Sequence, residues 1–154
     1  MKTIPLTRGK VCVVDDGDYA ELSKYKWHCT RQGYAGRNTL TDGARTVVLM
    51  HRILLNPPDG REVDHCSTNK IDNRRCNLRV ATRAQNSANK GLTKSNTSGR
   101  KGVWWDSLLK KWRAAIYTNG RRVYLGCFLK LEDAGTAYEG AAIHYHRNFA
   151  RWTH

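Results

Sequence analysis

The sequence predicts an α+β fold of small antiparallel sheets and short helices, set out as two regions joined by a linker. Three observations predict it. Residues 1 to about 50 break into short β-type runs divided by turn residues, and residues 61–90 hold one short helix with a clear start. Residues 100–154 read as three strands and then one helix.

The elements follow in chain order. Residues 10–14, KVCVV, form a β-type run that Asp15-Asp16-Gly17 ends. Residues 18–25 suit a short helix capped by Asp18. Residues 27–30, 34–38 and 46–50 read as further strands, and 51–55 is a short apolar stretch stopped by Pro57-Pro58-Asp59-Gly60. Val63-Asp64-His65 closes another strand. Residues 78–81 alternate and lead into a helix at 83–89, where Thr82 and Gln85 have the form of a capping box. Residues 90–99, KGLTKSNTSG, are rich in Gly, Ser, Thr and Asn and read as the linker.

Beyond the linker, residues 102–105, 111–117 and 122–128 are strands, and Asn119-Gly120 turns the last two into a hairpin. Alternation puts Trp112, Ala114 and Ile116 on one face and Arg113, Ala115 and Tyr117 on the other. It likewise groups Val123, Leu125 and Cys127 against Arg122 and Tyr124. In residues 131–147, Ala134, Ala137, Tyr138, Ala141, Ala142 and Tyr145 recur at helical spacing. That alanine stripe gives the apolar sheet face a close-packing partner. The opposite face, with Trp104, Arg113, Tyr117, Arg122 and Tyr124, has none and suits a nucleic-acid surface.

Charge agrees. The chain has 154 residues, with 27 Lys and Arg against 13 Asp and Glu, a formal net charge of +14. Such an excess calls for a polyanionic partner. The 40% hydrophobic share, five tryptophans and seven tyrosines exclude a disordered basic tail. No apolar run approaches the roughly 18 residues of a membrane span, and the N-terminus lacks the apolar core of a secretory signal, so an intracellular location is expected. The five cysteines are odd in number and contain no CxxC pair, which argues against both a disulfide framework and a structural zinc site.

The chemistry lies in the middle of the chain, within the first region. Asp64 and His65 are strand neighbours, so a hard oxygen ligand and a neutral-pH base can serve two roles from one place. Phosphodiester hydrolysis needs both a Lewis acid and a base for water. By residue type alone, Asp64-His65 also fits a hydrogen-bonded surface turn, Asn77 a turn cap and Asn86 an exposed helix residue. Asn69 and Asn73 read as turn formers, and His51 as a structural residue or phosphate contact.

Met50-His51-Arg52, Asp64-His65, Asn69, Asn73, Asn77-Leu78, Thr82 and Asn86 together resemble the HNH endonucleases, most closely the single-metal nicking and homing enzymes of phages. The resemblance implies a ββα-metal (His-Me finger) fold, with its core at about 50–90, preceded by a small β-rich segment. It implies His65 as general base and Asn77, twelve residues on, as the residue orienting the imidazole through its side-chain oxygen. It implies Asp64 and Asn86 as ligands of one divalent ion, Mg²⁺ or Mn²⁺. Asn86 stands where many members carry histidine, which fits the branch using Asp and Asn ligands.

Lys101-Gly102-Val103, Lys111 to Ile116, Arg122 to Phe128 and Glu132-Asp133-Ala134 through Ala142 resemble an AP2 domain, over about 100–150. That resemblance implies a three-stranded sheet that enters the DNA major groove with a helix behind it. It assigns Lys101, Trp104, Tyr117, Arg122 and Tyr124 to DNA, with Arg113 on the same face. Trp104, Asp106 and Tyr117 stand where plant members carry arginines, so no target sequence transfers.

The domains expected are therefore 1–90 with the nuclease motif, 91–99 as linker and 100–154 as an AP2-like module. The expected function is that of a metal-dependent DNA endonuclease, of nicking or homing type, leaving 5′-phosphate and 3′-hydroxyl ends. Its partner is double-stranded DNA, with no membrane or protein partner, and a monomer is expected. A non-catalytic DNA-binding transcription regulator is the alternative, and an RNA-binding factor a third class.

Overall fold

A computed structural model describes residues 1–151. The chain forms two compact units, Met1–Thr82 and Arg83–His154. The boundary falls before the helix of the nuclease motif, whereas the sequence reading drew it near residue 90.

The first unit holds β1 (Lys2–Pro5), β2 (Val11–Val14), α1 (Asp16–Leu22), β3 (His28–Cys29), β4 (Ala35–Thr41), β5 (Ala44–Leu49), α2 (Met50–Leu55), β6 (Glu62–His65) and β7 (Leu78–Ala81). These make three small antiparallel sheets: β1-β2, β3-β4-β5 and β6-β7. The two two-stranded ribbons would be marginal alone, and one shared core joins all three sheets. Ile4, Cys12, Val14, Trp27, Met50 and Val63 are buried in it, each from a different element or loop except the β2 pair. The Trp27 indole reaches this core because its Nε1 finds the Leu22 carbonyl at 2.8 Å.

Two elements differ from expectation. β1 was unforeseen, since Pro5 and the short run KTIP give little strand signal. α1 starts at Asp16 behind Asp15, not at Asp18, and no side chain caps it. The Asp15 carboxylate accepts from the Arg75 backbone N–H at 2.7 Å instead.

The second unit holds α3 (Arg83–Asn89), β8 (Val103–Asp106), β9 (Lys111–Thr118), β10 (Arg121–Phe128) and α4 (Leu131–His146). The sheet order is β10-β9-β8, all antiparallel. Asn119 and Gly120 both take positive φ, as the hairpin turn requires. α4 lays Ala134, Tyr138 and Ala142 against Val103, Ala114 and Ile116. Glu132 and Asp133 sit in its first turn, where the helix dipole favours them.

One face assignment is corrected. The β10–β9 register shifts between Tyr124 and Gly126, leaving Leu125 as a bulge. Beyond the bulge the parity reverses. Leu125 and Phe128 both pack on the core, while Cys127 moves opposite Arg113 on the outer face. There its Sγ lies 2.8 Å from the Tyr124 hydroxyl.

Candidate active site and basic sheet face

β6 and β7 pair Asp64 with Arg79 and His65 with Leu78. Asp64 and His65 therefore point to opposite sides of a two-stranded ribbon, as alternation requires. Both are buried. Arg79 donates to Asp64 Oδ2 twice, from Nε at 2.8 Å and Nη2 at 2.7 Å. A buried carboxylate needs such a partner.

His65 sits in an aromatic nest. Its ring lies 5.0 Å from His51, edge to face, and 5.7 Å from Tyr34. Tyr34 and His51 meet at 5.0 Å, and Lys70 Nζ covers the Tyr34 ring at 4.7 Å. Burial pushes the His65 pKa down, opposed by Asn73, Asp64 and Asp72. His51 is pushed further, to about 3, by burial first and then by His65 and Arg52. Its Nδ1 is buried without a hydrogen-bond partner. Both rings are thus neutral at physiological pH, and a neutral imidazole is what a proton acceptor requires.

The loop from Cys66 to Asn77 is pinned at several points. Asn77 Oδ1 accepts from Ser67 N–H at 2.9 Å, and Asn77 Nδ2 donates to the Asp72 carbonyl at 2.7 Å. The Asn77 oxygen expected on the imidazole is thus bound to the loop backbone. The side chain beside His65 is Asn73, which is wholly buried and donates to Cys12 Sγ at 3.0 Å.

The N-terminal segment supplies the rest of the brace. Asn73 N–H donates to the Val13 carbonyl, and Val13 N–H to the Ile71 carbonyl. Arg75 makes a two-pronged bond to Asp18 at 2.8 and 2.9 Å and also reaches the Leu54 carbonyl. The acidic turn after β2 thus holds the loop through Arg75.

Of the four expected site residues, Asp64, His65 and Asn77 lie together in the first unit, and Asn86 lies on α3 in the second. All five cysteines are free thiols. Among the described residues no group of three or more His, Cys, Asp or Glu side chains is placed to hold a metal. Asp64 offers one buried, hard oxygen donor of the kind a divalent ion prefers, and here it is paired with Arg79.

The outer sheet face of the second unit gathers the expected aromatic and basic residues. Trp104 pairs with Arg113, and Tyr117 with Arg122. Arg122 lies 4.9 Å from the Trp104 ring, and Arg113 lies 5.1 Å from Tyr124 and 5.8 Å from Trp104. Asp106 Oδ2 accepts from Arg113 at 3.0 Å. Tyr117 and Tyr124 are exposed. Lys101 departs from the expected DNA-facing place. Its ammonium is bound to the Ala88 and Lys90 carbonyls, and burial lowers its pKa to about 8.

The segment around β6, β7 and α3 is similar to known proteins. Residues 56–88 match the family model described as HNH endonuclease. Two particular relatives are similar. An uncharacterized HNH endonuclease of Acanthamoeba polyphaga mimivirus is 33% identical over 118 residues, covering 73% of this chain and 58% of the relative. Protein 3.8 of Escherichia phage T7 is 37% identical over 65 residues, covering 42% of this chain and 54% of the relative. The chain therefore spans little more than half the length of either. No solved structure matches. No helix among the described residues is long and apolar enough to cross a membrane.

Arg79, Tyr34 and Asn73 were missed as site residues. Arg79 was within reach of the sequence, since pairing the two recognised strands sets it opposite Asp64. Tyr34 and Asn73 were not, because their positions depend on distant parts of the chain.

Proposed function

We propose that the chain is a divalent-metal-dependent DNA endonuclease of the nicking or homing type. It hydrolyses a phosphodiester bond to 5′-phosphate and 3′-hydroxyl ends, and an AP2-like sheet targets it to double-stranded DNA. The observation that carries the reading is the buried Asp64-His65 pair at the end of β6, beside a loop pinned at both ends.

Each residue has a definite task. His65 accepts the proton of the attacking water, and its burial keeps the imidazole unprotonated and ready. His51 and Tyr34 hold the ring by packing, while Asn77 fixes the loop that follows it. Asp64 and Asn86 offer oxygen donors for one Mg²⁺ or Mn²⁺ ion. When bound, that ion supplies Lewis acidity to the phosphate and the departing 3′ oxygen. One such site engages one strand, so a monomer nicks.

The test uses the full chain on supercoiled plasmid and on DNA from the source genome, with Mg²⁺, Mn²⁺ or EDTA. Metal-dependent nicking is expected from the wild type. His65→Ala should lower its rate by about 100-fold or more, the usual contribution of a general base. Cleavage unaltered by His65→Ala would contradict the assignment. DNA binding with no cleavage in any metal would instead make the protein a regulator.

A further inference from the structure

We propose that Arg113, aimed by Asp106, reads a guanine edge and sets the sequence preference of the chain. The inference rests on the proposed reading of the outer sheet face as the surface that meets DNA. Arg113 lies on β9, the central strand of the β10-β9-β8 sheet, whereas Arg122 lies on the edge strand β10. Asp106 pairs with Lys111 across β8 and β9, which makes it the diagonal neighbour of Arg113 on one face. The two Asp106 oxygens have separate tasks. Oδ1 accepts from the Leu108 and Leu109 backbone N–H groups at 3.0 and 2.9 Å, which ties the carboxylate to the β8–β9 turn. Oδ2 accepts from Arg113 Nη1 at 3.0 Å. The Tyr124 and Trp104 rings lie 5.1 and 5.8 Å from the same guanidinium.

A long side chain held this way is ordered before DNA arrives, so binding costs it less entropy. It is still 37% exposed, and with one N–H committed to Asp106 the other Nη hydrogens still form a fork. Charge decides what the fork takes. The Asp106 carboxylate offsets the guanidinium's field and repels an approaching phosphate. It does not repel the neutral edge of a base. Guanine presents O6 and N7 side by side as two neutral acceptors, the pair that fits an arginine fork. Arg122 bonds no carboxylate among the described residues and rests on the Trp104 ring, which suits it to phosphate instead.

The experiment selects duplexes for the full chain from a randomised pool in EDTA. Binding to the selected duplex, its single-base variants and unrelated DNA is then measured over a range of salt. The wild type is expected to prefer guanine at one base pair by about tenfold or more. Arg113→Ala should lose that preference and keep its affinity for unrelated DNA and its salt steepness. Asp106→Asn keeps an oxygen for the turn and loses the acceptor for Arg113. It should also lose the preference, yet bind unrelated DNA more tightly, with a steepness raised by up to about one as the freed guanidinium turns to phosphate. Arg113→Lys keeps the charge without the fork; it should fail to select guanine, and it serves if Arg113→Ala does not fold. A wild type without sequence preference, a guanine preference that survives in Arg113→Ala, or a steepness lower by about one in that variant overturns the assignment and leaves the sheet face standing. Binding and selection unchanged in Arg113→Ala, Asp106→Asn and Arg122→Ala alike overturn the sheet-face reading and the inference with it.

Discussion

His51 shows how a single buried side chain ties the stability of the first unit to pH. It is 5% exposed, its Nδ1 has no hydrogen bond, and its ring meets the edge of His65. Its pKa is depressed to about 3 in the fold and returns to about 6.5 when the chain unfolds. A depressed pKa contributes stability that is complete above the unfolded value and is lost as pH falls toward the folded one. The window is therefore about pH 6.5 down to 3. Within it, this group alone should remove about 1.4 kcal/mol of stability per pH unit. His51→Phe keeps a ring against His65 and removes the proton site. Its stability relative to wild type should improve by about 2 kcal/mol between pH 7 and pH 5. Denaturant unfolding at the two pH values measures this, and a pH-independent difference would refute it.

Elements differ in how much of them the sequence shows. β7 and α3 came out with the boundaries expected, because alternation and a polar helix start are local signals. β10 did not: the bulge at Leu125 is marked in the sequence only by the neighbouring Gly126, which takes φ +133°, and it brings Leu125 and Phe128 onto the same core. The site divides the same way. Asp64 and His65 were legible from adjacency in one strand. Asn73 was read as a turn former because its burial depends on Cys12, 61 residues away. The role of Asp15 and Asp18 was hidden for the same reason, as their partner is Arg75. Gly102 is the position where an element's fit is tightest. It has φ +68°, and a Cβ there would lie 2.3 Å from the Tyr138 ring and 2.5 Å from the Ala115 carbonyl oxygen. The ring is held in the core, and the carbonyl belongs to β9, so neither yields cheaply. Gly102→Ala should destabilise the second unit by about 3 kcal/mol, combining overpacking with an unfavourable φ. Thermal unfolding monitored by tryptophan fluorescence reads the loss; a change below about 1 kcal/mol would mean the β8 entry adjusts.

At the scale of the whole molecule, charge and chemistry are unevenly divided. The first unit carries 14 Lys and Arg against 9 Asp and Glu, and the second 13 against 4. The unit without Asp64 and His65 is thus the more positive. This division predicts that DNA binding outlasts metal removal, since phosphate contacts by arginine need no divalent ion. It also predicts two kinds of residue on the outer sheet face. Arg122 rests on Trp104 and bonds no carboxylate among the described residues, so its charge is available to phosphate. Tyr117 is 67% exposed and uncharged, so it contributes contact area only. In EDTA, log affinity should fall linearly with log salt for every variant. Arg122→Ala should reduce the steepness by about one, the share of one phosphate contact. Tyr117→Ala should weaken binding at each salt concentration and leave the steepness unchanged. His65→Ala should match the wild type in both respects, because the role proposed for its imidazole is in cleavage and not in binding. Fluorescence anisotropy on one duplex from 50 to 200 mM salt separates these outcomes. A steepness unchanged in Arg122→Ala would show that the sheet face is not the surface that meets the backbone. The excess charge would then have to act through the basic residues that lie off that face, and the targeting role would pass to them.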